Sequence, residues 1–426
     1  MRGKCFLFVC MPLAFVAGCE ELDDDPDKYL TGEQNYVVPL DEVAVLLSEI
    51  RMGKEHLKEV YDAVTSSSWN GYDEEYMMKD LFVTPGAGVG DDRLPEASVL
   101  RKRQMMGRDS DCGSATKAAD DYDVPLKDLI AERLKQKALT RSGEPGNPLT
   151  PDEYVKALQT SDIQIYWAYS ENWDGEDYPI ITFDPDDGSS ANVGYRLVVD
   201  DDGSEHIEEV IVDEELASEK TVWVINRNDD SRYTSLEMLR MQEPEWGQPG
   251  GEIIIKPKGA GTKSNDKPLR TLILRDFTMN RNYDSWFAGA SEFFVKIGSL
   301  EEFTASTEAE LRLYNPSVTD FMIVVKRKNV GVPQPFNAVL VSDWTDQLTH
   351  CAFMITEDDG GTRTSWKCSA IVKINSKSYG FEMTMPLNTK DDIVWRGQLA
   401  RKYIETNNGV PAHYGDVDLT FEILEH

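Results

Sequence analysis

The hydrophobic period changes once along the chain, near residue 160, and that change sets what the chain can fold into. Before it, apolar residues recur at helical spacing. Val43, Leu46, Leu47, Ile50, Leu57, Val60, Tyr61 and Val64 share one face of a helix starting near Asp41, just after Pro39. Gly53 is its weak point, and Ser66, Ser67 and Ser68 are expected to end it. A second helix opens at Pro125, a residue suited to the first helical position, with Leu126, Leu129, Ile130 and Leu134 inward. The run Thr150-Pro151-Asp152-Glu153 starts a short third helix. After residue 160 the period is two. Ile163, Ile165 and Trp167 alternate, as do Phe293, Val295 and Ile297, and later Val417, Leu419, Phe421 and Ile423. The runs 222–225 and 321–325 are apolar throughout, as strands buried on both faces are. Roughly a dozen strands separated by turn residues favour sandwiches or barrels. The expected fold is mainly β with a helical N-terminal part, closing in an antiparallel β-sandwich.

This pattern divides the chain into a helical region over 37–158, a β-rich domain over 161–260 and a β-sandwich over 268–426. A Gly-, Lys- and Pro-rich break at 247–268 parts the last two. The hairpins of 270–424, with an acidic turn at 357–360 and Asp391-Asp392 between strands, loosely resemble a C2-type sandwich. A fold of that kind does not carry a function with it.

Residues 1–36 belong to neither pattern. Arg2 and Lys4 make a basic start, and residues 5–17 are apolar, too short a run to span a bilayer. That is the layout of a cleaved export signal, here 1–18. Its end, Val16-Ala17-Gly18-Cys19, resembles the lipobox of bacterial lipoproteins, which implies that Cys19 carries the lipid. An ordinary cleavage site that happens to precede a cysteine is the competing reading. Several acyl chains on one residue hold a protein at a membrane stably, where a single chain does not. The acidic stretch Glu20-Glu21-Leu22-Asp23-Asp24-Asp25-Pro26-Asp27 is a solvated tether within 19–36. It also resembles the export tag of Bacteroidota surface lipoproteins. Stretches 71–92 and 343–396 are similar to uncharacterised lipoproteins of that group. The resemblance implies an address, the outer membrane facing the cell exterior, and no activity.

The charge narrows the partners. With 76 acidic against 44 basic residues the chain carries a net −32, and cleavage would remove two of the basic ones. Nucleic acid and anionic lipid surfaces both need basic patches, so neither is an expected partner. The membrane is reached through the lipid alone. No resident cofactor is expected, with calcium the one cation considered.

Candidate sites are sparse. The glycine-rich runs at 86–90 and 257–264 lack the spacing of phosphate-binding loops and read as flexible loops. The five histidines form no zinc signature, and no G-x-S-x-G marks a nucleophile. Asp184, Asp186 and Asp187 are the calcium candidates, on a turn whose glycine comes one position too early; a plain hairpin turn is the competing reading. Tyr166, Tyr169 and Trp173 are candidates for stacking on a glycan, set against packing in a core that takes Trp167. Of six cysteines, Cys112, Cys351 and Cys368 remain beyond Cys19, in a compartment that allows disulfides. The segment 351–374 reads as a hairpin turning at Asp359-Gly360. A two-residue loop there sets Cys351 opposite Cys368, close enough to bridge, Phe353 opposite Trp366 and Ile355 opposite Thr364. A longer loop through Gly361 would shift that register and part them.

These residues name no reaction. The expected function is a lipid-anchored, non-catalytic surface protein that binds a glycan, a protein or a host surface. Its rivals are an extracellular hydrolase acting on polymers and an accessory subunit of an outer-membrane complex. An enzyme should converge at least two perturbed titratable groups in a pocket; a binder should expose apolar side chains.

Overall fold

Gly53 does more than weaken the first helical stretch: it divides it. The computed structural model describes residues 37–82, 124–140, 149–185, 187–228, 230, 233–242 and 270–425. In it α1 (Leu40–Ser48) ends before Gly53, whose extended backbone caps the start of α2 (Lys54–Trp69). The three serines do not end that helix. They lie inside its last turn, and Asn70 closes it. The third expected helix is present as α5 (Pro151–Gln159), after α3 (Met78–Leu81) and α4 (Leu126–Thr140). Its start is fixed by Thr150 and Glu153, each hydrogen-bonding the other's backbone N–H. The expected signal, the expected tether with Cys19, the cysteine at 112, Asp186 and both glycine-rich runs lie outside the described residues.

The first sheet has six strands in the order β1-β2-β6-β3-β4-β5. They are β1 (Glu75–Met77), β2 (Ile163–Tyr166), β3 (Ile180–Phe183), β4 (Ala191–Val199), β5 (Glu205–Asp213) and β6 (Val222–Arg227). All neighbours are antiparallel except β3 and β6. Alternation gives this sheet two buried faces. Ile163, Ile165, Trp223 and Ile181 are on one, where α1 packs. Tyr166, Val224, Val222, Ile180 and Val212 are on the other, packed with Trp286 and Phe287 from farther along the chain. Two covered faces explain why 222–225 is apolar without alternation.

From residue 270 on, the strands form two more sheets that pack as a sandwich. One is β10-β7-β16-β15, from β7 (Arg270–Met279), β10 (Gln334–Val341), β15 (Pro411–Tyr414) and β16 (Val417–Glu425). The other is β13-β12-β11-β8-β9, from β8 (Ser291–Ser299), β9 (Ser317–Val325), β11 (Leu348–Glu357), β12 (Arg363–Ile374) and β13 (Lys377–Asn388), with β14 (Asp392–Ala400) also paired to β11. Phe293, Val295, Ile297, Phe353 and Ile355 from this sheet meet Leu272, Phe277, Leu419 and Phe421 from the other in a single core. Residues from Val37 on form one compact unit.

The expected 351–374 hairpin is replaced by a different pairing. β11 and β12 touch only at Leu348–Val372 and His350–Ile371. Beyond that point β11 has β14 on one edge and β8 on the other. A strand has two edges, so none is left for β12, which pairs along its whole length with β13. The connecting loop is longer than two residues, with Gly360 and Gly361 both at positive φ. Cys351 therefore sits beside Leu399, and Cys368 beside Met383. Both are free thiols, and the proposed bridge is corrected. Phe353 packs on Trp395, Tyr414 and Phe421, and not on Trp366.

Candidate functional site

Three carboxylates from separate elements converge where β8 begins and β11 ends. The antiparallel register sets Glu357 of β11 across from Phe293, beside Glu292 of β8, and the Asp358 N–H bonds the Glu292 carbonyl at 3.0 Å. Asp284 comes from the β7–β8 connection. One carboxylate oxygen from each of Asp284, Glu292 and Glu357 lies within 4.8 Å of the others. Glu357 is 0% exposed. Burial pushes the Asp284 carboxyl up to about 6, with the charges of Asp359 and Asp184 adding to the effect. The backbone there is held by Arg327, whose Nη1 donates to the Asp284 carbonyl at 2.8 Å while Nε bonds Glu214 at 3.0 Å.

More acids extend this group toward the helices. Asp230, buried, is pushed up to about 6 by burial and by Asp358, while Asn228 Nδ2 donates to it at 2.9 Å. The same amide donates to Glu75 at 2.8 Å and Gln164 at 2.9 Å. Asn388 Nδ2 donates to Asp358 at 2.8 Å and to the Tyr233 hydroxyl at 3.1 Å. Asp73 and Glu74 make a second buried pair. Burial raises Asp73 well above the carboxylate range, and its Oδ2 accepts the Ala290 N–H at 2.8 Å. Burial also works against ionisation of Glu74, but the Lys326 ammonium, hydrogen-bonded to it, holds it low. Chemically, the Asp284–Glu292–Glu357 group can share protons or surround a divalent cation. Glu292 and Glu357 are buried and Asp284 is half-buried.

Of the stacking candidates, Tyr166 is corrected and Tyr169 and Trp173 remain partly exposed. Tyr166 is 3% exposed, in the core beneath the first sheet. Tyr169 is half-buried and donates its hydroxyl to Glu214 at 3.0 Å. Trp173 packs against Tyr61 and Trp167, with ring centroids 5.2 and 5.5 Å away. Of the calcium candidates, Asp184 and Asp187 belong to the described residues. Asp187 is exposed, and its Oδ1 accepts the Ser189 N–H at 2.9 Å, a turn closing on itself. The Asp184 charge reaches Asp284. Sequence reading missed the group that does converge because its members lie on separate elements. The only local sign was the acidic turn after β11.

A second feature is exposed. β5 is the edge of the first sheet, and Ile211 on it is 70% exposed. By register, Val193, Tyr195, Leu197, Val199, Ile207 and Ile211 lie on one face of the β4–β5 hairpin, with Glu205 and Glu209 among them. A groove of about 160 Å³ continues that face, lined by Leu47, Ile50, Tyr178, Ile181, Leu197 and Val199. Tyr178 stands 55% exposed at its rim. No protein-family model, no curated protein and no solved structure matches the chain.

Proposed function

We propose that the chain is a lipid-anchored binding protein of the bacterial cell surface, held at the outer membrane by Cys19 and acting through non-covalent contact rather than chemistry. The observation that carries this reading is the exposed apolar face of the β4–β5 hairpin, on an open sheet edge, beside an apolar groove. Exposed apolar side chains on a chain this acidic favour contact with another molecule. The hydrolase reading would draw on the Asp284–Glu292–Glu357 group, and the burial of Glu357 speaks against it. The test is cross-linked capture of the tethered protein from intact cells, followed by mass spectrometry. Wild type should retain a partner that an Ile211→Asp, Val199→Asp chain loses. A partner retained equally by both chains would overturn the assignment of this face. Capture of nothing, with turnover of an extracellular polymer that Glu357→Gln abolishes, would replace it with the hydrolase reading.

A further inference from the structure

The β4–β5 hairpin has a backbone pattern that specifies what its edge can accept. The Asp200 N–H bonds the Ser204 carbonyl at 2.9 Å and closes the turn. In an antiparallel pair, hydrogen-bonded and non-hydrogen-bonded positions alternate. The pairs Val198/His206, Arg196/Glu208 and Gly194/Val210 therefore bond each other, and Leu197/Ile207, Tyr195/Glu209 and Val193/Ile211 do not. So the N–H and C=O groups of Ile207, Glu209 and Ile211 point away from β4. No described strand lies on that side. The outward backbone and the exposed apolar side chains thus belong to the same alternate residues.

The edge is also acidic. The hairpin carries Asp200, Asp201, Asp202, Glu205, Glu208 and Glu209 against a single Arg196. Arg196 pairs with Glu208, and Arg51 with Glu205 at 3.2 Å. Glu209 has no ion-pair partner among the described residues. Like charges directly opposite destabilise a strand pair, so a second copy docking edge to edge would bring these glutamates against one another. An opposite charge would be favoured.

We propose that β5 accepts an extended cationic polypeptide segment as a seventh strand, with apolar side chains beside Ile207 and Ile211, Lys or Arg beside Glu208 on the opposite face, and the charge of Glu209, between the two isoleucines, favouring a cationic over an anionic segment. The proposal rests on the reading of this face as a binding surface and names its partner class. Main-chain hydrogen bonds supply affinity and the alternating side chains supply selectivity.

Proline gives the sharpest test. At Glu209 or Ile211 it removes one outward N–H and no bond to β4, a placement edge strands tolerate. The probe is a peptide of the same nine-residue length as β5, lysine alternating with valine, with a glutamate–valine peptide as its counterpart. Binding is read by fluorescence anisotropy and folding by melting curve. Wild type should bind the lysine peptide, less well at high ionic strength, and not the glutamate peptide. Glu209→Pro and Ile211→Pro should each weaken binding by about tenfold or more at an unchanged melting curve. Glu209→Lys should weaken it several-fold without touching the backbone, and it decides the matter if a proline variant melts early. Equal binding of both peptides, wild-type binding by a folded proline variant, or a dimer that the proline variants turn into monomer would each overturn the proposal. Failure of the lysine peptide to bind wild type, with cell-surface capture still dependent on Ile211, would remove the cationic strand and leave the binding function standing.

Discussion

At the scale of single residues, burial sets the chemistry of the acids and thiols. Asp230 ionises near 3.8 when exposed and at about 6 in the fold. The native state therefore holds a proton that the unfolded chain has lost between those values. Stability from this group is full below the lower value and is lost as pH rises through the window, staying flat above it. Asp230→Asn should thus gain on wild type as pH rises from 4 to 7, by about 1–3 kcal/mol at the upper end, measured by chemical denaturation across pH. Millimolar calcium should flatten the wild-type profile only if a cation replaces these protons. Burial likewise pushes the Cys368 thiol up to about 11 and that of Cys351 higher. Both should resist alkylation in the native protein. After denaturation without reductant, Cys351 and Cys368 should both react; protection of the two together would restore the bridge.

At the scale of elements, edges and turns explain most of what was unexpected. A hairpin reading of 351–374 pairs residues by loop length alone, but strand neighbours are a competition. β8 and β14 occupy both edges of β11, and β12 goes to β13. The β15–β16 turn shows how tightly such packing is drawn. Gly415 has φ of +64°, and a Cβ there would lie 2.2 Å from the Val394 carbonyl oxygen. Backbone cannot swing aside as a side chain can. Gly415→Ala should therefore lower stability by about 1–3 kcal/mol, read as a lower denaturation midpoint at constant slope.

At the scale of the whole molecule, the helices with the first sheet and the sandwich are joined by polar contacts as well as by packing. Asp73 accepts from Ala290, Asn226 donates to the Phe287 carbonyl at 2.9 Å, and Lys326 pairs with Glu74. The proposed attachment to the cell rests on Cys19. Cys19→Ser should release the protein from the membrane fraction or leave it unprocessed. Protease added to intact cells should remove the wild-type body. Replacing Glu20, Glu21 and Asp23–Asp25 by Ala should protect it by keeping it on the inner side. Full protection of the unaltered protein would refute surface exposure.

The sequence by itself determined the local order: the three helical stretches, the change to strands near residue 160, and the face to which Ile163, Ile165 and Trp167 belong. Those follow from periodicity and capping, which act over a few neighbours. Tertiary structure decided which strands became neighbours, so Cys351 and Cys368 stayed apart and Tyr166 went into a core. It also brought Asp284, Glu292 and Glu357 together from separate elements. Contacts of that kind depend on which edges and faces remain unfilled once every other element has packed, and no local run of residues records that.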